Sequence, residues 1–100
     1  MIYKLAKQLK ESGFPQKEKG TMLFAEGVSL ADSQKVWNEK GAYAPTLEEV
    51  IEELGDNFRK LIRGAENYWE ALSNNEIDIG KTPLEAVSNL YIKLTRNNKA

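Results

Sequence analysis

Two helix-start motifs constrain most strongly how this chain folds. They occupy residues 46–49 (TLEE) and 82–85 (TPLE), and in each a threonine is followed three residues later by a glutamate. The threonine hydroxyl accepts a hydrogen bond from the backbone N–H of the glutamate, whose carboxylate reaches back to the N–H of the threonine. Pro83 suits the first helical position, where no N–H is needed. The motifs predict helices over 46–55 and 82–95.

Apolar residues recur at helical spacing after both motifs, and also at the start of the chain. The predicted stripes are Ile2, Leu5, Ala6 and Leu9; Leu47, Val50, Ile51 and Leu54; and Leu84, Val87, Leu90, Tyr91 and Leu94. Gly13 and Gly55 stand where a helix C-terminal cap belongs. A further helix is therefore predicted over 2–12.

Residues 58–63 and 68–73 are rich in apolar and aromatic side chains and flank a short segment with Gly64. This pattern predicts a β-hairpin. A helix over 57–72 also satisfies a 3.6-residue period, apart from Gly64 in its interior. The residues alone leave both interpretations open, whereas the polar segment 74–80 that follows predicts a loop.

The stretch between the first helix and residue 46 has weaker patterns. Residues 21–25 are compatible with a short β-strand that ends near Gly27. Residues 28–44 follow no period, which predicts a long irregular connection, and such connections often carry binding sites. The alternative is a short strand over 35–37 that buries Trp37.

Composition excludes several classes of function. The chain has no cysteine and no histidine, so it lacks thiolate nucleophiles, imidazole bases and the usual zinc ligands. Its glycines form no phosphate-binding loop. No apolar run approaches the roughly 20 residues that a membrane span needs, and the start shows no signal-peptide core. We expect a cytoplasmic protein with no enzymatic activity, no cofactor and no membrane association.

Charge is distributed unevenly although the net charge is only −1. Residues 46–57 carry five acidic and no basic side chains, and the predicted helix turns Glu48, Glu49, Glu52 and Glu53 outward. Carboxylates at such spacing can hold a divalent cation or act as an acid and base pair. Because the sequence supplies no further oxygen ligands beside them, we interpret the cluster as a solvated helix face with no catalytic or metal site.

Two kinds of macromolecular binding remain. Aromatic residues dominate the energetics of protein interfaces, so the candidate partner-binding residues are Trp37, Tyr43, Tyr68 and Trp69. A nucleic acid would instead need one basic face, for which the candidates are Lys4, Lys7, Lys10, Arg59, Lys60 and Arg63. The interleaved acidic residues favour a protein partner or self-association.

Four segments of the chain resemble small uncharacterised proteins encoded by bacteriophages and prophages. The segments read SGFPQ, YAPTLEEVIEELGDNFRKL, YWEAL and GKTPLEAVSNLYIKL, and the resemblance spans most of the chain apart from residues 17–42. It implies a helix, a hairpin that carries a tryptophan and a final helix, and thus favours the hairpin over the long helix. Residues 66–94 are also similar to antitoxins of the HicB type, in which a sheet precedes such a helix start.

Together these patterns predict an α+β fold in one domain, 1–100, with a frayed tail at 96–100. It comprises helices near 2–12, 46–55 and 82–95 and a small antiparallel sheet with strands 58–63 and 68–73. The function expected is that of a non-enzymatic phage or prophage accessory protein, located in the cytoplasm of a bacterial host, that binds another protein or itself. The alternative is a nucleic-acid-associated or antitoxin-like regulator.

Overall fold

A computed structural model describes the chain in four stretches, which are residues 2–17, 22–24, 41–64 and 66–98. They belong to two compact units, Met1–Pro45 and Thr46–Ala100. The described residues form three α-helices and two small antiparallel sheets, so the α+β prediction is confirmed. None of the helices in these stretches is long and apolar enough to span a membrane.

The first unit contains one helix and a two-stranded sheet. Its elements are α1 (Tyr3–Glu11), β1 (Met22–Phe24) and β2 (Gly41–Tyr43). The strands are antiparallel, with Met22 opposite Tyr43. The strand predicted over 21–25 is therefore confirmed at its centre. β2 was not predicted, because it lies at the end of a stretch without periodicity. Residues 25–40 lie outside the described residues, and with them Trp37 and the alternative strand at 35–37.

Helix α1 ends as its glycine predicts. Gly13 adopts a φ of 93°, its N–H donates to the carbonyl of Lys10, and the N–H of Phe14 donates to the carbonyl of Leu9. These two hydrogen bonds form the Schellman motif, in which apolar residues on either side of the cap pack together. Leu9 and Phe14 are both buried, and the chain is thereby turned sharply out of the helix.

Hydrogen bonds from side chains tie β2 to the rest of the first unit. The N–H of Tyr43 donates to Oε1 of Gln16 at 2.8 Å, and the Gln16 amide in turn donates to the carbonyl of Phe14 at 3.0 Å. The ammonium of Lys10 donates to the carbonyl of Gly41 at 2.8 Å. Polar side chains thus satisfy backbone groups that a two-stranded sheet leaves unpaired.

The second unit is a three-stranded antiparallel sheet with two helices. Its elements are α2 (Leu47–Leu54), a 3-10 turn (Gly55–Asn57), β3 (Phe58–Arg63), β4 (Trp69–Ser73), β5 (Ile77–Gly80) and α3 (Pro83–Asn98). The strand order is β3-β4-β5. The predicted hairpin is confirmed, and a helix over 57–72 is wrong. The loop predicted over 74–80 is wrong in its second half, which is β5.

The helix-start motif at Thr46 forms both predicted hydrogen bonds, and the motif at Thr82 forms the one to its hydroxyl. The N–H of Glu49 donates to Oγ1 of Thr46 at 3.3 Å, and the N–H of Thr46 donates to the Glu49 carboxylate at 3.0 Å. At α3, the N–H of Glu85 donates to Oγ1 of Thr82 at 3.1 Å. Helix α3 continues to Asn98, three residues beyond the predicted end, while residues 99–100 of the expected tail lie outside the described residues.

Helix α3 supplies the centre of the core of the second unit. It packs on β4, β5 and α2. Its Ala86, Val87 and Leu90 are fully buried, as are Val50 of α2 and Ala71 of β4. Because α3 covers one side of the sheet, the strands have one face turned to the helix and one face turned away from it.

Candidate functional site

The register of the three strands assigns every side chain of the sheet to one of two faces. Ile62, Glu70 and Ile79 stand side by side across β3, β4 and β5, and Lys60, Leu72 and Ile77 form a second such row. Side chains alternate along a strand, so these two rows share a face that Ala71 does not. Ala71 is fully buried on the α3 side. We call the other side, with its two rows, the outer face.

The outer face exposes large apolar side chains. Ile62, Ile77 and Ile79 are 40%, 45% and 51% exposed, and Leu72 is half-buried among them. Of the exposed large hydrophobic residues in the described part of the chain, the only other is Ile2, in the first unit. A cluster of branched apolar side chains on a sheet face is a surface that gains free energy when another molecule covers it.

Tyr68 extends the outer face towards the hairpin turn. Its ring lies over Gly64, where a Cβ atom would come within 2.5 Å of ring carbon Cε2. Its hydroxyl donates to Oε1 of Glu70 at 3.4 Å. The ring is half-buried. Gly64 leaves room for an aromatic ring to lie across the strand, and the hydrogen bond orients the phenol beside the row that contains Ile62.

Trp69 is the first residue of β4 and lies on the face of the sheet opposite to Tyr68. Its neighbours across the sheet are Arg63 and Gly80, and the Arg63 guanidinium carbon lies 5.9 Å from the centre of the indole ring. This is cation–π distance. Trp69 is half-buried. Side chains alternate along an extended chain, so these two adjacent aromatic residues take opposite faces of the sheet.

The four aromatic residues predicted to bind a partner thus occupy different environments. Tyr43 is only 5% exposed and belongs to the core of the first unit, whereas Tyr68 and Trp69 each keep part of their surface open. Trp37 lies outside the described residues. The isoleucines of the outer face were not among the predicted binding residues. The alternation of Ile77 and Ile79 carried that signal, but it stood in a segment assigned to a loop.

The predicted basic residues also divide between the units. Arg59, Lys60 and Arg63 are exposed on β3, and the Arg59 guanidinium donates to the side-chain oxygen of Asn74. In the first unit, Lys10 is committed to the bond with the carbonyl of Gly41. Each unit has its own basic residues. The single basic face that nucleic-acid binding would need, formed by residues of both units, stays a prediction.

The acidic helix α2 has mainly structural interactions. Glu49 belongs to the helix cap, and no group of three or more acidic residues in the described stretches is arranged to hold a metal ion. The helix also influences Tyr91 of α3. Burial raises the pKa of the Tyr91 phenol, and the nearby Glu53 carboxylate raises it further. A hydrogen bond with Thr95 lowers that pKa in part. The phenol therefore stays protonated to higher pH than a solvent-exposed tyrosine.

The site that this geometry defines is an exposed surface of the three-stranded sheet. It consists of the outer face of the sheet, with Tyr68 at one end and Lys60 of β3 along one side. Comparisons of the chain with protein-family models, curated proteins and solved structures give no match.

Proposed function

We propose that this chain is a non-enzymatic protein-interaction module, an accessory protein of a bacteriophage or prophage, and that it binds a partner protein through the outer face of its three-stranded sheet. The observation that carries the proposal is that Ile62, Ile77 and Ile79 are all exposed on that one face. Covering a half-exposed isoleucine contributes about 1 kcal/mol to association.

The surroundings of the isoleucines support a protein partner. Tyr68 borders the exposed isoleucines of the outer face. Tyrosine combines a large apolar ring with a hydroxyl that can hydrogen-bond to water at the edge of an interface. Lys60 and Glu70 lie within the two rows and supply one charge of each sign. A non-obligate protein interface is as a whole about as apolar as the rest of a protein surface, so charges of both signs among the apolar side chains are compatible with one. The absence of cysteine and histidine from the chain removes the commonest catalytic groups and also favours binding over catalysis.

An affinity capture with one matched pair of variants tests this proposal. The tagged chain, I79K and I2K are each used to capture proteins from a lysate of phage-infected or prophage-carrying bacteria. Both variants place a lysine at an exposed isoleucine, but only Ile79 belongs to the outer face. We expect a stoichiometric partner to be retained by the wild type and I2K and to be lost from I79K. Retention of the same partner by I79K would rule out the outer face.

A second candidate function is that of a nucleic-acid-associated or antitoxin-like regulator. It is favoured by the three cations Arg59, Lys60 and Arg63 on one exposed strand, because adjacent cations attract phosphates. The second unit as a whole has ten acidic and seven basic residues, which opposes such binding. Nuclease treatment in the same capture separates the two functions: partners lost on digestion, together with recovered nucleic acid, would favour the regulator.

A further inference from the structure

The two edges of the three-stranded sheet are built differently. At the β5 edge, the carbonyl of Ile77 accepts a hydrogen bond from Nζ of Lys93 and the carbonyl of Ile79 accepts one from Nδ2 of Asn89, both at 2.9 Å. The N–H of Ile79 donates to Oδ1 of Asp78 at 2.8 Å. Side chains therefore occupy the outward carbonyls of Ile77 and Ile79 and the N–H of Ile79, which protects that edge against an additional strand.

The β3 edge carries no such protection among the described residues. The N–H of Gly64 donates to the carbonyl of Tyr68. This bond determines which residue pairs between β3 and β4 are hydrogen-bonded and which are not. Paired groups alternate along an antiparallel ladder, so Ile62 turns its N–H and C=O towards β4. Leu61 and Arg63 turn theirs away from β4, at the side of the sheet where the described strands end. Each of these two residues presents a backbone donor and acceptor.

Charge selects what can pair with this edge. β3 contains Arg59, Lys60 and Arg63 and no acidic residue. A second copy of β3 laid antiparallel along it would bring these cations close to their own counterparts, and like charges on adjacent strands repel. An acidic strand would instead place a carboxylate beside each cation and gain from the interaction. The same charges that discourage self-pairing thus favour an extended acidic segment.

We propose that β3 receives an extended acidic segment of the partner protein as a fourth strand of this sheet. This inference rests on the proposed function and names the chemistry of the partner. The added strand would bond to Leu61 and Arg63 through its backbone, as in other cases of β-strand addition. Its side chains would lie beside those of Lys60, Leu61, Ile62 and Arg63. The best complement in the added strand is therefore the residue order acidic, apolar, apolar, acidic. That order reads the same in both directions, so it fits a parallel or an antiparallel strand.

The test uses a synthetic ten-residue peptide with the core Glu-Val-Val-Glu, and a matched peptide with the core Lys-Val-Val-Lys. Each is titrated into the full-length chain labelled with nitrogen-15, and amide signals and hydrogen exchange are followed by NMR. We expect the acidic peptide to shift the amides of Leu61 and Arg63 and to slow their exchange, while the Ile79 amide at the closed edge stays unchanged. Equal binding of the basic peptide would overturn the proposal, as would shifts that avoid β3.

Two variants at one position separate backbone pairing from charge. R63Q removes the cation and keeps the outward N–H, whereas R63P also removes the N–H without breaking a bond to β4. We expect R63P to lower the affinity for the acidic peptide about tenfold more than R63Q does. The reason is that the lost hydrogen bond at the edge leaves a backbone carbonyl of the peptide without a partner. Equal affinities of the two variants would contradict strand addition. The acidic peptide with N-methyl groups on all four core residues gives the same test on the wild-type chain, and its undiminished binding would also contradict it.

Further results distinguish this inference from the proposed function. If I79K loses the captured partner while R63P and R63Q retain it equally, the outer face binds the partner and β3 receives no strand. If I79K and I2K behave alike, the proposed function itself fails. A ten-nucleotide oligothymidine that displaces the acidic peptide from Leu61 and Arg63 would overturn the proposal in favour of a nucleic-acid ligand.

Discussion

The Lys93 ammonium donates a hydrogen bond to the backbone carbonyl of Ile77, 2.9 Å away, and so joins helix α3 to the outer edge of β5. One turn earlier, Asn89 makes the equivalent bond to Ile79. Residues four apart on a helix are separated by about 6 Å along its axis, and residues two apart on a strand by about 7 Å. The two spacings match closely enough for one helix face to cap successive outward carbonyls of a strand.

Removing both caps is expected to promote self-association. The double variant N89A/K93A frees two backbone carbonyls beside the exposed Ile77 and Ile79, which creates an open apolar edge. The free energy of unfolding should change by less than about 1 kcal/mol, because water replaces exposed hydrogen bonds. Light scattering over a concentration series should show larger particles than the wild type. R96A, which removes an exposed cation from the same helix, should remain like the wild type, and a fully monomeric double variant would contradict the prediction.

Ser88 on α3 is fully buried, and its hydroxyl has no hydrogen-bond partner in the described part of the chain. A buried hydroxyl without a partner loses its bonds to water and gains nothing in return. S88A should therefore raise the free energy of unfolding by about 1 kcal/mol, measured by urea denaturation.

Ser73 provides the matched control for that substitution. Its hydroxyl accepts from the N–H of Glu76 at 2.9 Å in the turn between β4 and β5. S73A should lower the free energy of unfolding by about 1 kcal/mol, opposite in sign to S88A. A loss of stability in S88A similar to that in S73A would mean that the Ser88 hydroxyl makes a bond that stabilises the core.

The helices were predictable because the interactions that start them are local. In the motif at Thr46 both hydrogen bonds join residues three apart, and the residues that form them are the residues that define the motif. The cap at Gly13 is equally local, since its bonds reach back no more than five residues, to Leu9. Such features need no knowledge of the tertiary structure.

The short strands β2 and β5 could not be predicted in the same way. β5 has four residues, and its Ile-Asp-Ile alternation follows two asparagines that signal a loop. What makes it a strand is pairing with β4 and capping by Lys93 and Asn89, and these partners lie from 5 to 16 residues away. β2 depends likewise on β1 and on Gln16, which lies 27 residues before Tyr43.

The site was only partly predictable because exposure depends on which face α3 covers. Residue type identified Tyr68 and Trp69 as candidate partner-binding residues. It gave no means of separating them from Tyr43, which is buried with its backbone N–H bonded to Gln16. The exposure of Ile62 and Ile79 follows from α3 packing on the other side of the sheet, and this is information about tertiary structure alone.

Gly80 should tolerate no side chain. A Cβ atom there would lie 2.4 Å from the backbone nitrogen of Ala86 and 2.8 Å from the carbonyl carbon of Glu85, so β5 and the first turn of α3 would have to separate. G80A is expected to lower the free energy of unfolding by about 3 kcal/mol, measured by urea denaturation. In G64A the added atom meets the Tyr68 ring, which can rotate away, and the loss should be nearer 1 kcal/mol. Similar losses in both variants would show that the backbone contact at Gly80 is not the decisive one.

The interaction between Glu53 and Tyr91 makes stability depend on pH in the alkaline range. Burial, and then the Glu53 carboxylate, raise the pKa of the Tyr91 phenol in the folded chain above its ordinary value of 10.0. Between the two pKa values the folded chain holds a proton that the unfolded chain has released, so stability falls as the pH rises above 10.

Y91F should reduce this loss, since it removes the group that titrates, and urea denaturation at several pH values measures the difference. E53Q should lower the pKa of Tyr91 by removing the negative charge, and the ultraviolet absorbance of the phenolate follows that titration directly. E52Q changes the net charge equally from the same helix and should leave the Tyr91 titration in place. If E52Q and E53Q shift the titration by the same amount, the effect belongs to the net charge of α2 and not to the proximity of Glu53.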